Sequence, residues 1–262
     1  MSDATLRARR HSSPRRRASV TGVLGEILIT VGVVMMLYVV WQLWIGDLIY
    51  GAENNAKGTA LSEQWQAAGS DETQPQPLPE ATADPEQPAS PVFEPVVVPE
   101  PADTEVFAVM KIPRFGPEYA VQMAGGVTRP GTLDPIGIGH YPGTKMPGEV
   151  GNFALAAHRT TFGKPFADIA NLHVGDAIVV QTEGGWYTYR FRTLEYVTPD
   201  QVDVLLDVPQ APDTPAGERY LTMTSCSPKF SLAERIVGYS VFESFQPTSE
   251  GPPASLTDPV SA

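Results

Sequence analysis

The chain has 262 residues, 42% of them hydrophobic, which is enough to bury a core, and a formal charge of −12. Its basic residues are unevenly spread: Arg7, Arg9, Arg10, Arg15, Arg16 and Arg17 all fall in the first 17 positions, so the rest of the chain is more acidic than the total. An acidic body argues against nucleic acid as a partner. Cys226 is the single cysteine, which excludes an intramolecular disulfide, and His11, His140, His158 and His173 form no His-Glu-x-x-His or paired-Cys pattern, so no metal site or other cofactor is expected.

Residues 1–22 are polar and basic and read as a cytoplasmic tail. Ile27 to Ile45 follows as an apolar stretch interrupted by Thr30, Gly32 and Gln42. As a helix it would be roughly 28 Å long, close to the hydrocarbon thickness of a bilayer. Trp41, Trp44 and Tyr50 cluster at its far end as an aromatic belt does, and the arginines precede it. Residues 23–49 are therefore expected to be a single membrane anchor, with the N-terminus cytoplasmic and the rest outside. The apolar core is too long for a cleaved signal peptide, and no clear cleavage site follows.

Residues 50–103 read as an acidic, proline-rich extracellular linker, with a short helix around Ala60 to Ala67. Nine prolines lie between Pro75 and Pro101, interleaved with Glu, Asp and Gln. Such a composition cannot bury enough apolar surface to fold on its own, and no residue of Asp71–Pro91 looks able to dock over a groove as a lid. Extended at about 3.1 Å per residue, it would reach on the order of 100 Å.

Residues 104–247 are the folded domain, where strand signals are frequent and helix signals few. Strands are expected at Val106–Ile112, Glu118–Met123, Asn152–His158, Ala177–Thr182, Trp186–Thr193, Tyr220–Cys226 and Arg235–Phe242, with a strand end near Tyr196. Thr128 to Gly139 is punctuated by Pro130, Gly131, Pro135 and Gly137, which permits a helical turn or two at most. About eight short strands with turns between them define an all-β fold, a closed or nearly closed barrel. Residues 248–262 read as a disordered tail.

Cys226 closes the Tyr220–Cys226 strand. Leu221, Met223 and Ser225 point to one face and Thr222, Thr224 and Cys226 to the other. Ser227-Pro228 breaks the strand, and Arg235 opens the next one. A lone thiol is either buried packing or kept for chemistry. As a nucleophile it acts as thiolate, which a nearby cation favours. His158, also at a strand end, is the candidate acid and base, and Arg235 the candidate for polarising a carbonyl or steadying an oxyanion. Each alone has a plainer reading: a structural histidine, or an arginine paired with Glu234 or Asp200 on the surface.

The stretch Leu221-Thr222-Met223-Thr224-Ser225-Cys226 followed by Arg235 resembles the T-L-x-T-C…R signature of sortases. Gly139-His140-Tyr141-Pro142-Gly143-Thr144 and the run from Pro147 to Arg159 resemble the family's approach to its catalytic histidine, and the tyrosine after His140 is most similar to class E sortases of actinobacteria. The resemblance covers roughly Val106 to Phe242. Ser225 departs from the threonine that many sortases carry before the cysteine. The resemblance implies a cysteine transpeptidase. Cys226 would attack the Thr carbonyl of a C-terminal sorting signal and cut between Thr and Gly. His158 would protonate the leaving amine and later deprotonate the incoming one, and Arg235 would steady substrate and oxyanion. The implied active pair is a minority thiolate–imidazolium form. Implied partners are secreted proteins bearing a sorting signal and an acceptor amine, from a peptidoglycan precursor or a pilin. Class E relatives prefer an LAXTG-like over an LPXTG-like signal, a choice linked to Tyr141. Thr224 and His140 are further candidates for contact with substrate.

Two other readings stay open. One is another cysteine acyl-transfer enzyme, but an L,D-transpeptidase has its histidine close to the cysteine, whereas His158 precedes Cys226 by 68 residues (226 − 158), and papain-like enzymes place Cys before His. The other is a membrane-tethered binding module on a barrel of the same kind.

Overall fold

The computed structural model describes residues 19–41, 46–69 and 92–257. The chain divides into two units, Met1–Trp44 and Ile45–Ala262. In the first, helix α1 (Val20–Val40) has 21 residues and buries none of them. It is apolar on all sides, and at 1.5 Å per residue it extends about 31 Å. It is thus long and apolar enough to cross a membrane. It starts seven residues before Ile27, while the expected end of the apolar stretch, residues 42–45, lies outside the described residues.

The second unit is built on eight strands: β1 (Val106–Lys111), β2 (Val121–Gly125), β3 (Ile138–His140), β4 (Gly151–Ala157), β5 (Ala177–Thr182), β6 (Gly185–Val197), β7 (Arg219–Ser227) and β8 (Glu234–Pro247). They close into a barrel in the order β1-β2-β3-β4-β7-β8-β6-β5. Closure leaves no unpaired sheet edge. Two neighbour pairs are parallel, β2 with β3 and β4 with β7. A parallel pair needs a long crossover. Between β4 and β7 that crossover carries the β5–β6 hairpin, which turns at Glu183–Gly184. Met110, Met123, Ile138, Phe153, Leu155, Ile178, Leu221 and Met223 fill the interior.

Strand β3 falls where Pro and Gly indicated only a turn. It is three residues long, and a Cβ on Gly139 would meet the Gly126 carbonyl oxygen at 2.3 Å. The glycine that reads as a breaker is here what lets two backbones approach. β2 begins at Val121 rather than Glu118, and β6 and β8 run longer than their apolar cores, since their outer ends carry polar residues on the exposed face.

The segment read as linker is partly built into the domain. Residues 46–69 form helix α2 (Gly46–Gly69), which buries Asn54, Gly58, Ser62 and Trp65 on the barrel. Their spacing of four, four and three puts them on one helix face. The stripe is small and polar rather than apolar, so it gave no hydrophobic period to read. Ser62 Oγ donates to Gln181 Oε1 at 2.5 Å, and Gln181 Nε2 donates to the Ser62 carbonyl at 3.2 Å, both buried. The backbone N–H of Ala120 donates to Asn55 Oδ1 at 3.0 Å. Trp65 packs with Val109 and Ala120. Residues 92–103 also run along the barrel: Phe93 packs on the core, the Tyr187 hydroxyl donates to the Val96 carbonyl, and Asp103 bridges to Gly125. The rest of the expected linker, 70–91, lies outside the described residues. The tail read as disordered makes 3-10 turns at Thr248–Glu250 and Ala254–Leu256. Thr248 Oγ1 donates to the Glu183 carbonyl at 2.7 Å, and Leu256 packs on Ala177, Val179 and Trp186. Residues 258–262 lie outside the described residues.

The docking of α2 depends on Gly58, where a Cβ would lie 2.1 Å from the Ala120 carbonyl oxygen. Gly58→Ala raises intrinsic helix propensity by about 1 kcal/mol, yet overpacking at such a contact costs about 1–3 kcal/mol. The expected outcome is a lower Tm together with faster proteolysis between residues 46 and 69; a higher Tm would show that α2 does not depend on this contact.

Candidate active site

The site is assembled by strand register. Strand β7 runs between β4 on one side and β8 on the other. Leu221 and Met223 point into the core. Antiparallel pairing puts Cys226 directly opposite Arg235, two residues along from the pair Thr224 and Val237. Parallel pairing puts Ala154 opposite Thr222 and Ala156 opposite Thr224. Two residues further along each chain stand His158 and Cys226. With strands about 4.8 Å apart, Arg235 is one strand spacing from Cys226 on one side, and His158 follows the end of the neighbouring strand on the other.

Side chains tie the end of β4 to β7. Thr224 Oγ1 donates to the Leu155 carbonyl at 3.1 Å, and Ser225 Oγ donates to the Ala157 carbonyl at 2.7 Å. Arg159, 8% exposed, donates from Nη1 to the Cys226 carbonyl at 3.3 Å. Ser225, which departs from the threonine of the resemblance, keeps a hydroxyl for this bond.

Cys226, His158 and Arg235 all face one groove of about 570 Å3, together with Tyr141 and Thr224. Cys226 is half-buried and unpaired with any other sulfur. Arg235 Nη1 donates to the Leu232 and Glu234 carbonyls at 3.2 and 2.9 Å. The arginine thus bonds the Glu234 backbone and not its carboxylate, the partner of the plainer reading. Phe230 and Leu232, 84% and 71% exposed, form an apolar rim on the β7–β8 loop.

Tyr141 lines the groove. Because the Thr224 hydroxyl donates to Leu155, the Tyr141 hydroxyl donates to Thr224 Oγ1, at 2.9 Å. His140 does not join the groove. It is 1% exposed, against Phe107 and Phe153. Its Nε2–H points to the Lys145 carbonyl at 3.1 Å and to Thr144 Oγ1 at 3.0 Å. Successive residues of an extended chain send their side chains to opposite faces, which separates His140 from Tyr141 although they adjoin in sequence. Burial holds the His140 imidazole below its ordinary pKa, against smaller upward effects of the Lys145 carbonyl and Glu100.

Several groups at the site were not read from the sequence. His158 Nε2 donates to Asp134 Oδ1 at 2.6 Å. Asp134 sits in the glycine- and proline-rich stretch before β3, where Asp134-Pro135 signals a turn and nothing more. Phe162 lies against the His158 ring, centroids 5.3 Å apart. Phe162, Gly163 and Lys164 all adopt left-handed backbone, at φ 53°, 75° and 43°. For the two that are not glycine this costs on the order of 1–3 kcal/mol each. Helix α2 braces the turn: Asn54 Nδ2 donates to the Phe162 carbonyl at 3.5 Å, and the Tyr50 ring meets Phe162 at 5.9 Å. No residue of 92–103 lines the groove.

A sortase-domain family model matches residues 110–242, about half of the chain. Sortase SrtE1 of Streptomyces coelicolor is 32% identical over 260 residues, covering 96% of this chain and 66% of its own, so the chain spans just under two thirds of that relative's length. The structure of sortase E1 from the same organism with a tripeptide in its active site is 33% identical, covers 60% of this chain and 99% of that one, and superposes with a TM-score of 0.55. The SrtA sortase from Actinomyces oris is 32% identical over 63% of this chain and 95% of that one, with a TM-score of 0.59. The chain belongs to the sortase family of cysteine transpeptidases, and the Streptomyces relatives it resembles are sortases of the E class.

His140 gives a pH dependence with a definite sign. A histidine whose folded pKa lies below its unfolded value binds fewer protons in the native state, so its stability contribution is full above about pH 6.5 and is lost as pH falls below that. Between pH 7.5 and pH 5 the wild-type Tm is expected to fall more than that of His140→Gln, which keeps a donor but does not titrate. Parallel decline of the two would remove His140 as the cause.

Proposed function

We propose that the protein is a membrane-anchored transpeptidase that cleaves a C-terminal sorting signal of LAXTG or LPXTG type between Thr and Gly and transfers the acyl group to an amine. The observation that carries this reading is the single groove with Cys226 between His158 and Arg235 on its wall. The tripeptide in the active site of sortase E1 supports a peptide as occupant of the corresponding groove here.

The reaction divides one amide exchange into two steps. The Cys226 thiolate attacks the Thr carbonyl carbon, and the negative charge that develops on its oxygen is met by the Arg235 guanidinium. The C–N bond breaks as His158 gives its proton to the leaving Gly amine, and a thioester remains on Cys226. The acceptor amine then attacks the same carbon and loses a proton to His158. The C–S bond breaks, and thiolate and imidazolium are restored. Arg235 bonds the Leu232 and Glu234 carbonyls at present, and its planar fork has further N–H donors for substrate.

Tyr141 belongs to the signal choice in this reading. Its hydroxyl, already placed by Thr224, can accept from the backbone N–H of an Ala in the signal, which a Pro lacks. The acceptor amine belongs to a cell-wall precursor or a pilin. Helix α1 is the anchor, with the arginine-rich start on the cytoplasmic side and the barrel outside.

The test follows intact mass of the full chain in detergent with LAXTG and LPXTG peptides and an amine. Wild type is expected to carry a thioester adduct and Cys226→Ala none, with LAXTG the faster substrate. Tyr141→Phe is expected to narrow that preference to within a few-fold, the loss of one hydrogen bond being about 1 kcal/mol. A folded, thiol-reactive protein with neither adduct nor cleavage would favour the binding module.

A further inference from the structure

Beside the groove, three side chains that the proposed chemistry does not use, Arg129, Asp134 and Phe162, gather at His158. Four side chains, His158 among them, form a closed ring of contacts. Asp134 Oδ1 accepts from His158 Nε2 at 2.6 Å. The Arg129 Nε donates to the same oxygen at 3.5 Å. The Arg129 guanidinium carbon lies 6.0 Å above the Phe162 ring. The Phe162 ring meets the His158 ring at 5.3 Å with planes 30° apart, which completes the circuit.

The ring is supported from both sides. Arg129 and Asp134 belong to one tight turn, Arg129–Leu133, which Asp134 caps by donating its backbone N–H to the Arg129 carbonyl at 2.8 Å. Their separation is therefore fixed by backbone. Phe162 is held from behind by Asn54 and Tyr50 of α2. The side chains of His158 and Asp134 are 12% and 24% exposed. A partly buried pair this short is not an ordinary surface ion pair, whose partners exchange freely with water.

A carboxylate only accepts hydrogen bonds, so the bond to Asp134 requires a proton on Nε2. We propose that Asp134 is a positioning residue for transpeptidation: it holds the His158 ring with its proton on Nε2, leaving Nδ1 to exchange protons with the reacting amines. The inference rests on the reaction proposed above and deepens it. In the first half-reaction the Nδ1 proton passes to the leaving Gly amine as the C–S bond forms and the C–N bond breaks. In the second, Nδ1 takes a proton from the acceptor amine as the new C–N bond forms and the C–S bond breaks. The Nε2 proton stays on its bond to Asp134 through both, and Asp134 is neither protonated nor consumed. Arg129 aligns the carboxylate, and Phe162 limits tilting of the ring.

The opposite role is physically distinct. If Asp134 drew the imidazole away from Cys226, it would act as a brake, and its removal would speed the reaction.

The experiment uses the full chain in detergent, as wild type, Asp134→Ala, Asp134→Asn and Asp134→Glu, with His158→Gln to assign the imidazole. The first measurement is proton NMR of the ring N–H. A short bond to a carboxylate shifts that proton downfield and slows its exchange. The resonance is expected in wild type and absent in His158→Gln and Asp134→Ala. The second is steady-state kinetics with the LAXTG peptide and an amine. For Asp134→Ala and Asp134→Asn, kcat is expected to fall about 100-fold with KM for the peptide within about threefold, the pattern of lost positioning rather than lost binding. Asp134→Glu is expected to recover part of kcat.

Unchanged or raised kcat in a folded Asp134→Ala protein overturns the proposal, as does a resonance that survives that substitution. If Asp134→Ala does not fold, kcat of the near-isosteric Asp134→Asn decides in its place. If wild type turns over no peptide, the failure falls on the proposed reaction, and the resonance alone decides whether Asp134 holds the ring.

Discussion

The parallel ladder between β4 and β7 is the constraint on which the site depends. Its six pairs, from Gly151 opposite Arg219 to Ala156 opposite Thr224, set where both strands end. A slip of one residue would turn every side chain of β7 to the other face, Leu221 and Met223 to the groove and Cys226 to the core. The interior forbids this, because Leu221 and Met223 are fully buried among Phe153, Leu155 and Ile236. Apolar packing thus fixes a register, and the register places the thiol. The hydroxyls of Thr222, Thr224 and Ser225 add bonds to Asn152, Leu155 and Ala157 along the same seam. Each is worth about 1 kcal/mol net, but leaving a buried partner unmade costs more, so they resist slippage as a set.

The loop after His158 is held by the barrel and by α2 together. That loop carries three consecutive left-handed residues and reaches its conformation with α2 beside it. A free linker would supply no such support. The helix instead presents small residues to the barrel, Gly58 at the closest approach and Ser62 in a reciprocal pair with Gln181. A residue far outside the matched family domain, Asn54, therefore contacts the backbone of Phe162, whose ring touches the imidazole.

The strands and the Cys226 neighbourhood were legible because each rests on a short-range signal. Alternation along 220–226 separates core from groove, and Ser227-Pro228 marks the strand end. Register was not legible, since nothing in either strand states its partner; Cys226, His158 and Arg235 were read from their places at strand ends, and Tyr141 came through the resemblance to sortases. Three kinds of residue escaped. Strand β3 is too short and glycine-bearing to show a period. Helix α2 contains the short helix expected around Ala60 to Ala67, but its full length and its docking escaped, because it docks through polar and small side chains, which no hydrophobic pattern reveals. Asp134 acts at long sequence range from a turn whose composition speaks only of backbone. His140 misled for a related reason. Adjacent to Tyr141 in sequence, it faces the other way, and a buried histidine bonded to the Lys145 carbonyl looks the same in sequence as one in a groove.

The groove combines groups held with different firmness, and this matters for a two-step acyl transfer. Cys226 is set by the register of two ladders, and His158 stands one step beyond the end of β4 with Asp134 and Phe162 against its ring. Arg235 differs. Its Cα is fixed opposite Cys226, but its guanidinium bonds the carbonyls of Leu232 in the loop and Glu234 at the start of β8, beside the largely exposed rim residues Phe230 and Leu232. In the proposed reaction the thiol and the imidazole must meet two different amines at one carbon without moving far, which favours rigid placement. The guanidinium must instead follow an oxygen whose charge rises and falls twice. A long side chain on a fixed Cα, exchanging carbonyl partners for the substrate, can do so without disturbing the pair that transfers the proton.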